Sequence, residues 1–238
     1  MTQIIKKAKN LYEEGYKNKG LNHQRKYPNE ELCRFFGRNF FSIKTKLRKK
    51  IKILETGCGT CGNLQMISKE GFSTYGIDFS KEAIKLSIKL FKKEKLKGYF
   101  TVGDFTSMNY KNSFFDSVVD VFSSCTLDRY NGQKYIIEVN RILKKKGNFF
   151  SYFPSKKSDM FNFKTRKLHD KDTLISLKQK SAYTTDHALR FMNLNQYCDL
   201  LTLNGFKINY KEEVMRTYFS KKEKFYFLVI EAIKVKDS

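Results

Sequence analysis

Ile51-Lys52-Ile53-Leu54-Glu55-Thr56-Gly57-Cys58-Gly59-Thr60-Cys61-Gly62-Asn63 decides how the rest of the chain is read. A short apolar run ends in an acid and then in a tight glycine-rich turn. The following Asn63-Leu64-Gln65-Met66-Ile67 opens a helix. Strand, glycine turn and helix in that order form the front of a nucleotide-binding βαβ unit. The glycines allow backbone amides to approach a ligand that a Cβ would hold off.

The spacing Gly57-x-Gly59-x-x-Gly62 also fits the dinucleotide fingerprint, and Asp78 follows at roughly the 20-residue distance that pattern expects. NAD, and with it an oxidoreductase, is therefore one reading. Glu55 opposes it, because a carboxylate just before the first glycine repels a pyrophosphate in a partly desolvated pocket. A ligand with a cationic end is held instead. S-adenosylmethionine has such an end, an ammonium beside a sulfonium, and no phosphate.

The stretch resembles the glycine loop of the class I S-adenosylmethionine-dependent methyltransferases, usually acid-x-Gly-x-Gly-x-Gly. Here Cys61 takes the third glycine position, with Gly62 beside it. The resemblance covers about residues 50 to 235. It implies an α/β fold: a Rossmann-like, doubly wound, seven-stranded, mostly parallel sheet with an antiparallel last strand. It also implies S-adenosylmethionine as cofactor, held by loop residues Glu55, Gly57, Cys58 and Gly59.

Outward from the loop, Ser73–Asp78 reads as the second strand, ending in an acid placed for ribose hydroxyls, with Phe79 beside it for the adenine. Ser80 caps the next helix. Tyr99–Val102 is a third strand, and the resemblance assigns the following Asp104-Phe105 to the adenine. Phe115–Phe122 is a buried fourth strand. The resemblance puts Asp120 and the residues to Leu127 along the methyl-transfer face. Gln133–Leu143 reads as a helix with Lys144-Lys145-Lys146 completing its last turn. Asn148–Phe153 is a fifth strand, and two further strands, about Lys207–Glu213 and Lys224–Ile233, close the chain after a helix around Leu194–Leu201.

One domain is expected over 1–238, divided into a helical cap (1–50), a cofactor-binding core (51–153), a lid or substrate loop (154–190) and a C-terminal helix with strands (191–238). In the cap, Ile4, Ile5, Ala8, Leu11 and Tyr12 share a helical face before Lys17-Asn18-Lys19-Gly20 breaks it. Asn29 caps a second helix, on which Arg34 and Arg38 stand one turn apart. A Tyr-Pro-x-Glu…Arg-Phe segment like this one covers the cofactor pocket in a bacterial branch of the family, which would put Tyr27 and Arg34 near cofactor or substrate. Residues 155–190 lack apolar periodicity and read as a long loop.

The composition, 40% hydrophobic and 15% aromatic with 22 Phe and no Trp, predicts a packed core. No apolar run reaches ~18 residues and no early stretch resembles a signal peptide, so a soluble, cytoplasmic protein is expected. The five scattered cysteines fit a reducing compartment. Cys58-x-x-Cys61 has zinc-like spacing, but no second pair completes a tetrahedral set, and no metal is expected. The net charge of +23 keeps a nucleic-acid partner, and an RNA methyltransferase, open. Only nine of the 47 basic residues are Arg, and the lysines are spread end to end, which disfavours it.

Methyl transfer from a sulfonium is an in-line displacement with a neutral leaving group, so alignment and water exclusion dominate. Ser123-Ser124-Cys125-Thr126 stands where amide- and base-directed N-methyltransferases carry Asn/Asp-Pro-Pro-Tyr/Phe. This favours a small-molecule acceptor, O- or N-methylated, such as a sugar or lipid-linked precursor. His187, Tyr130 and Asp128 are the candidate bases. A protein that binds the cofactor without catalysis is the remaining alternative.

Overall fold

The structure, a computed structural model, describes residues 3–183 and 187–237. In chain order, helices α1 (Gln3–Lys19), α2 (Glu30–Asn39) and α3 (Thr45–Arg48) precede strand β1 (Lys52–Thr56). Then come α4 (Gly62–Lys69), β2 (Ser73–Asp78), α5 (Lys81–Lys93), β3 (Tyr99–Val102), β4 (Phe115–Val121), α6 (Arg129–Ile142) and β5 (Leu143–Pro154). The lid follows, with α7 (Asp159–Asn162) and strands β6 (Arg166–Leu168), β7 (Thr173–Leu177) and β8 (Leu189–Arg190). Helix α8 (Leu194–Leu203) and strands β9 (Phe206–Tyr218) and β10 (Glu223–Lys234) complete the fold.

Seven strands form one sheet in the order β3-β2-β1-β4-β5-β10-β9. The first five run parallel, and β10 lies antiparallel between β5 and β9. The expected Rossmann-like, mostly parallel sheet with an antiparallel last strand is the architecture observed. Ile53, Leu54, Val118, Val119, Phe149 and Phe150 are fully buried, as helices on both faces of a parallel sheet require. Strand order reverses between β1 and β4, so a crevice opens beyond their carboxyl ends. Gly57 and Ser123 face each other there, and a Cβ on Gly57 would stand 2.3 Å from Ser123 Cβ.

The cap packs on the sheet as its sequence suggests. The Asn29 side chain accepts from Leu32 N, at 3.1 Å, and starts α2. That helix buries Leu32, Phe35 and Phe36, with the Phe35 ring 5.0 Å from Phe150. Arg38 reaches across to the carboxylate of Glu231 in β10, and Asn39 Nδ2 donates to the other oxygen at 2.8 Å. Arg34 instead forms a surface pair with Glu30 on its own helix. Helix α1 runs unbroken through Lys17-Asn18-Lys19 and ends where Gly20 takes φ +55°.

Three expectations need correction. Residues 155–190 are not a structureless loop: β6, β7 and β8 pair antiparallel into a small second sheet. Strands of two to five residues carry no readable periodicity, because cross-strand pairing holds them. Helix α6 begins at Arg129 rather than Gln133, since Asp128 caps it by accepting from Asn131 N. Lys144-Lys145-Lys146 lie in β5, not in a last helical turn, and Lys144 pairs with Asp116 at 2.6 Å.

Candidate functional site

The loop after β1 turns through three left-handed residues. Gly57 has φ +64° and Gly59 φ +50°, while Cys61 takes φ +63° although it carries a side chain. Cys61 thus adopts the conformation that the family pattern gives to glycine, and its thiol points into the core against Ser87 Oγ, 3.1 Å away. Gly62 is needed for a different reason. A Cβ there would stand 2.6 Å from the carbonyl oxygen of Arg25, where the cap crosses the loop. The Gly57 and Cys58 amides donate to the Ile77 carbonyl, at 2.8 and 3.1 Å, and the Gly59 amide donates to Asp78 Oδ2 at 2.9 Å.

Glu55 closes β1 and is 3% exposed. One carboxylate oxygen accepts from Asn63 Nδ2; the other is buried and has no partner among the described residues. Burial pushes this carboxyl up to about 8, reinforced by the fields of Asp120 and Asp78 and opposed by Asn63 and Arg25. A buried acceptor of this kind seeks a donor, and an ammonium meets it best. A pyrophosphate has no proton to donate to it, and its negative charge would hold the carboxyl protonated rather than pair with it.

Asp78 receives Gly59 N on one oxygen and Ser80 N, at 2.9 Å, on the other. Burial raises it to about 6 despite those amides. A carboxylate has about four lone-pair sites, so it retains capacity for hydroxyl donors. Glu55, Gly57 and Cys58 line a cleft of about 490 Å³, and Asp78 and Phe79 line a smaller recess that shares Gly57 and Tyr12 with it.

The remaining candidates divide. Tyr27 stands at the cleft mouth, 81% exposed. Phe79, Asp104 and Phe105 surround a narrow space beneath Ile5 and Ala8 of α1, and Asp104 Oδ1 accepts from Thr106 N and Oγ1. Gly59 lies under the Gln24 side chain, whose Oε1 accepts from Thr60 N. Asp120 does not reach the cleft. It is fully buried, and its two oxygens accept from Ser123 N and Oγ, Ser124 N and Oγ, and Ser151 Oγ. It shapes the turn after β4 rather than touching a ligand. Asp128 spends its carboxylate on the α6 cap and Asn131 Nδ2. Tyr130 is 66% exposed beneath Lys134 and lines neither cavity. Arg34 does not line the cleft either.

His187 does. Its Nδ1 lies 2.8 Å from the Ala188 carbonyl and its Nε2 3.3 Å from the Tyr12 hydroxyl. A carbonyl only accepts, so Nδ1 carries a proton; in the neutral imidazole Nε2 then accepts from the Tyr12 hydroxyl. Burial raises the Tyr12 phenol well above its ordinary value, which keeps it a donor. Phe122, within the stretch expected along the methyl-transfer face, lines both cavities, whereas Tyr12, Tyr16, Gln24, Asn63 and Tyr183 line them without having been singled out in the sequence. One signal is available there: Tyr12 and Tyr16 sit four apart on one helix face. Asn63 comes to the site from the start of α4, and Gln24 and Tyr183 through loop geometry.

Among the described residues no group of three metal-ligating side chains gathers, and all five cysteines are free thiols. Among the described residues no helix is long and apolar enough to cross a membrane.

Comparison with known proteins agrees with this geometry. Mouse EEF1A lysine methyltransferase 2 is 33% identical over 114 residues, 44% of this chain and 47% of its own length. Sterol 24-C-methyltransferase of Kluyveromyces lactis is 27% identical over 117 residues, 48% of this chain and 31% of its own. The chain thus spans about half the length, or less, of these curated relatives. Among solved structures, a Methanosarcina mazei S-adenosylmethionine-dependent methyltransferase superposes with a TM-score of 0.66 at 23% identity, covering 77% of this chain and 92% of its own. Burkholderia thailandensis 1,6-didemethyltoxoflavin-N1-methyltransferase, solved with S-adenosylhomocysteine, gives 0.61 at 12% identity and covers 99% and 92%. The methyltransferase domain family matches residues 47–221, well over half of the chain. With the glycine loop, the unpartnered Glu55 oxygen and the switch-point cleft in place, this chain belongs to the methyltransferase domain family, and its cofactor is S-adenosylmethionine.

Proposed function

We propose that the protein transfers a methyl group from S-adenosylmethionine to a small-molecule acceptor held between the cap and the lid. The observation that carries the cofactor end is the buried Glu55 oxygen without a partner, in a cleft at the sheet's switch point. Bound there, the cofactor supplies an electrophilic methyl on a sulfonium. Glu55, oriented by Asn63 Nδ2, binds its ammonium end, and the left-handed glycine loop lets the cofactor lie close to the backbone. Asp78 accepts from hydroxyl donors.

The acceptor end is walled by Tyr12, Tyr27, Phe122, Tyr183, His187 and Leu189, drawn from α1, the cap, the turn after β4 and the lid. This largely aromatic lining suits a flat or apolar acceptor and sheds water around the reacting atoms. His187 Nε2 is the basic atom on that wall. A proton leaving a hydroxyl or amine reaches it through the Tyr12 hydroxyl, which donates to Nε2 as it accepts. The neighbour that superposes over nearly the whole chain, cap included, is named for a small heteroaromatic acceptor, which supports this reading. A second reading, a protein lysine acceptor, is favoured by the 33% identity to the EEF1A lysine methyltransferase.

Tritiated methyl from labelled cofactor, transferred into cell extract and separated into small-molecule, lipid, RNA and protein fractions, distinguishes them. Label is expected among the small molecules or lipid precursors. Label in a protein band supports the second reading, and label in RNA overturns both.

A further inference from the structure

A second cavity, of about 460 Å³, lies between α6, α8 and the outer side of the lid, and none of its lining residues also lines the methyl-transfer cleft. Strand β8 separates the two. Alternation along a strand sends consecutive side chains to opposite faces. Leu189 accordingly faces the cleft and Arg190 the second cavity.

Arg190 is the anomaly. Its side chain is 1% exposed, its guanidinium sits 5.1 Å over the Phe153 ring, and Nε and Nη2 have no hydrogen-bond partner among the described residues. No carboxylate among the described residues pairs with it. The carboxylates whose fields reach it are Asp120 and Asp172. Asp120 already receives donors from three serines, and Asp172 is held by Lys156. Of the other groups facing it, Cys125 and Tyr197 are buried and pushed far up, so both stay neutral.

An arginine cannot shed its charge in response, since its free pKa lies above about 12. A buried charge without a partner is strongly unfavourable, and proteins ordinarily supply one. The chain has also made room for this one. A Cβ at Gly132 would stand 1.9 Å from Nη1, so a glycine inside α6, less favourable to a helix than alanine, lets the guanidinium pass. Exposed Arg129 and Lys171 stand on the same cavity wall with Gln133 and Gln196, and Asp199 is the remaining acid.

We propose that this cavity is a phosphate-binding site, distinct from the methyl-transfer cleft, with Arg190 as its buried anchor and Arg129 and Lys171 at its rim. Three cations converging on one space suit a dianion with several acceptor oxygens better than a single carboxylate.

The test is a titration of the full chain with inorganic phosphate at constant ionic strength, chloride replacing phosphate, followed by thermal melting and by calorimetry. The +23 net charge produces a general, non-saturating anion effect, so the saturable component is the readout. Wild type is expected to show saturable stabilisation. Arg190→Met should abolish that component, and the double variant Arg129→Gln/Lys171→Gln should weaken the apparent affinity at least threefold. A wild type without saturable binding, or an Arg190→Met protein that retains it, overturns the proposal. Should Arg190→Met fail to fold, unchanged phosphate affinity in the rim double variant overturns it by itself.

Discussion

Glu55 shows how burial, more than position in a motif, sets the behaviour of a side chain. With its carboxyl raised to about 8, the cofactor-free protein holds a proton there at pH 7. An ammonium beside it favours the carboxylate, so cofactor binding must expel that proton. Affinity is expected to rise with pH from about 6 and to level off near 8. Calorimetry at pH 7 in buffers of different ionisation heat should report close to one proton released. Glu55→Gln removes both charge and proton, and a loss of roughly 10- to 100-fold in affinity, about 1.4–2.8 kcal/mol, is expected with no proton release. Unchanged affinity would refute the assignment of the ammonium to this residue. Gly57 tests the backbone instead. Alanine there meets both a left-handed φ, worth about 1–2 kcal/mol, and the Ser123 side chain, worth about 1–3. Denaturant melts of Gly57→Ala should show a loss in that combined range, together with lost cofactor binding.

At the scale of elements, α2 is the fastening of the cap. Its cap residue was legible because Asn29 precedes an acidic first turn and an apolar stripe, a purely local pattern. What it fastens to was not: Arg38 meets Glu231 across 193 residues of sequence. Arg38→Met leaves Glu231, which is nearly buried, with Asn39 alone. Because the arginine itself is about one-third exposed, the expected cost is reduced to about 2–3 kcal/mol. The double variant Arg38→Met/Glu231→Leu should recover part of that loss in a mutant cycle. Additive losses would mean that the pair is not coupled. The lid was misread for the opposite reason. Its short strands have no local signature, and its sheet exists through β6–β7 and β7–β8 pairing. The start of α6 was misplaced because Asp128 looked like a base rather than a cap. Asp120 reads as a ligand for the cofactor in the sequence, where nothing shows that it binds Ser123, Ser124 and the distant Ser151.

Across the whole molecule, Glu55 and Asp78 place two raised carboxyls at one crevice. A carboxyl raised in the folded state contributes stability that is fully present below its unfolded value, about 4.5 for Glu55 and 3.8 for Asp78, and is lost as pH climbs through the folded value. The cofactor-free protein should therefore lose stability in two steps, through about 6 for Asp78 and about 8 for Glu55. Rising pH also relieves the repulsion of a chain with net charge +23, so the clean readout is a difference profile. Urea melts from pH 5 to 8.5 should show wild type falling relative to Glu55→Gln, by about 1–3 kcal/mol at the alkaline end. Saturating cofactor should abolish the difference. A flat difference profile would mean that Glu55 is not desolvated.

By itself the sequence determined the strand–glycine turn–helix unit, the succession of strands that makes a doubly wound sheet, the acid-led loop and the kind of cofactor it suits. Each follows from periodicity, capping or glycine placement within about 20 residues, where the chain's own covalent geometry sets the contacts. The tertiary structure alone decided which charges are buried and which of them have partners. It paired Tyr12 with His187 across 175 positions, set Asp120 to hold the turn after β4 and Asp128 to cap α6, and left Glu55 and Arg190 short of donors and acceptors. Desolvation belongs to the assembled interior, and no stretch of sequence carries it.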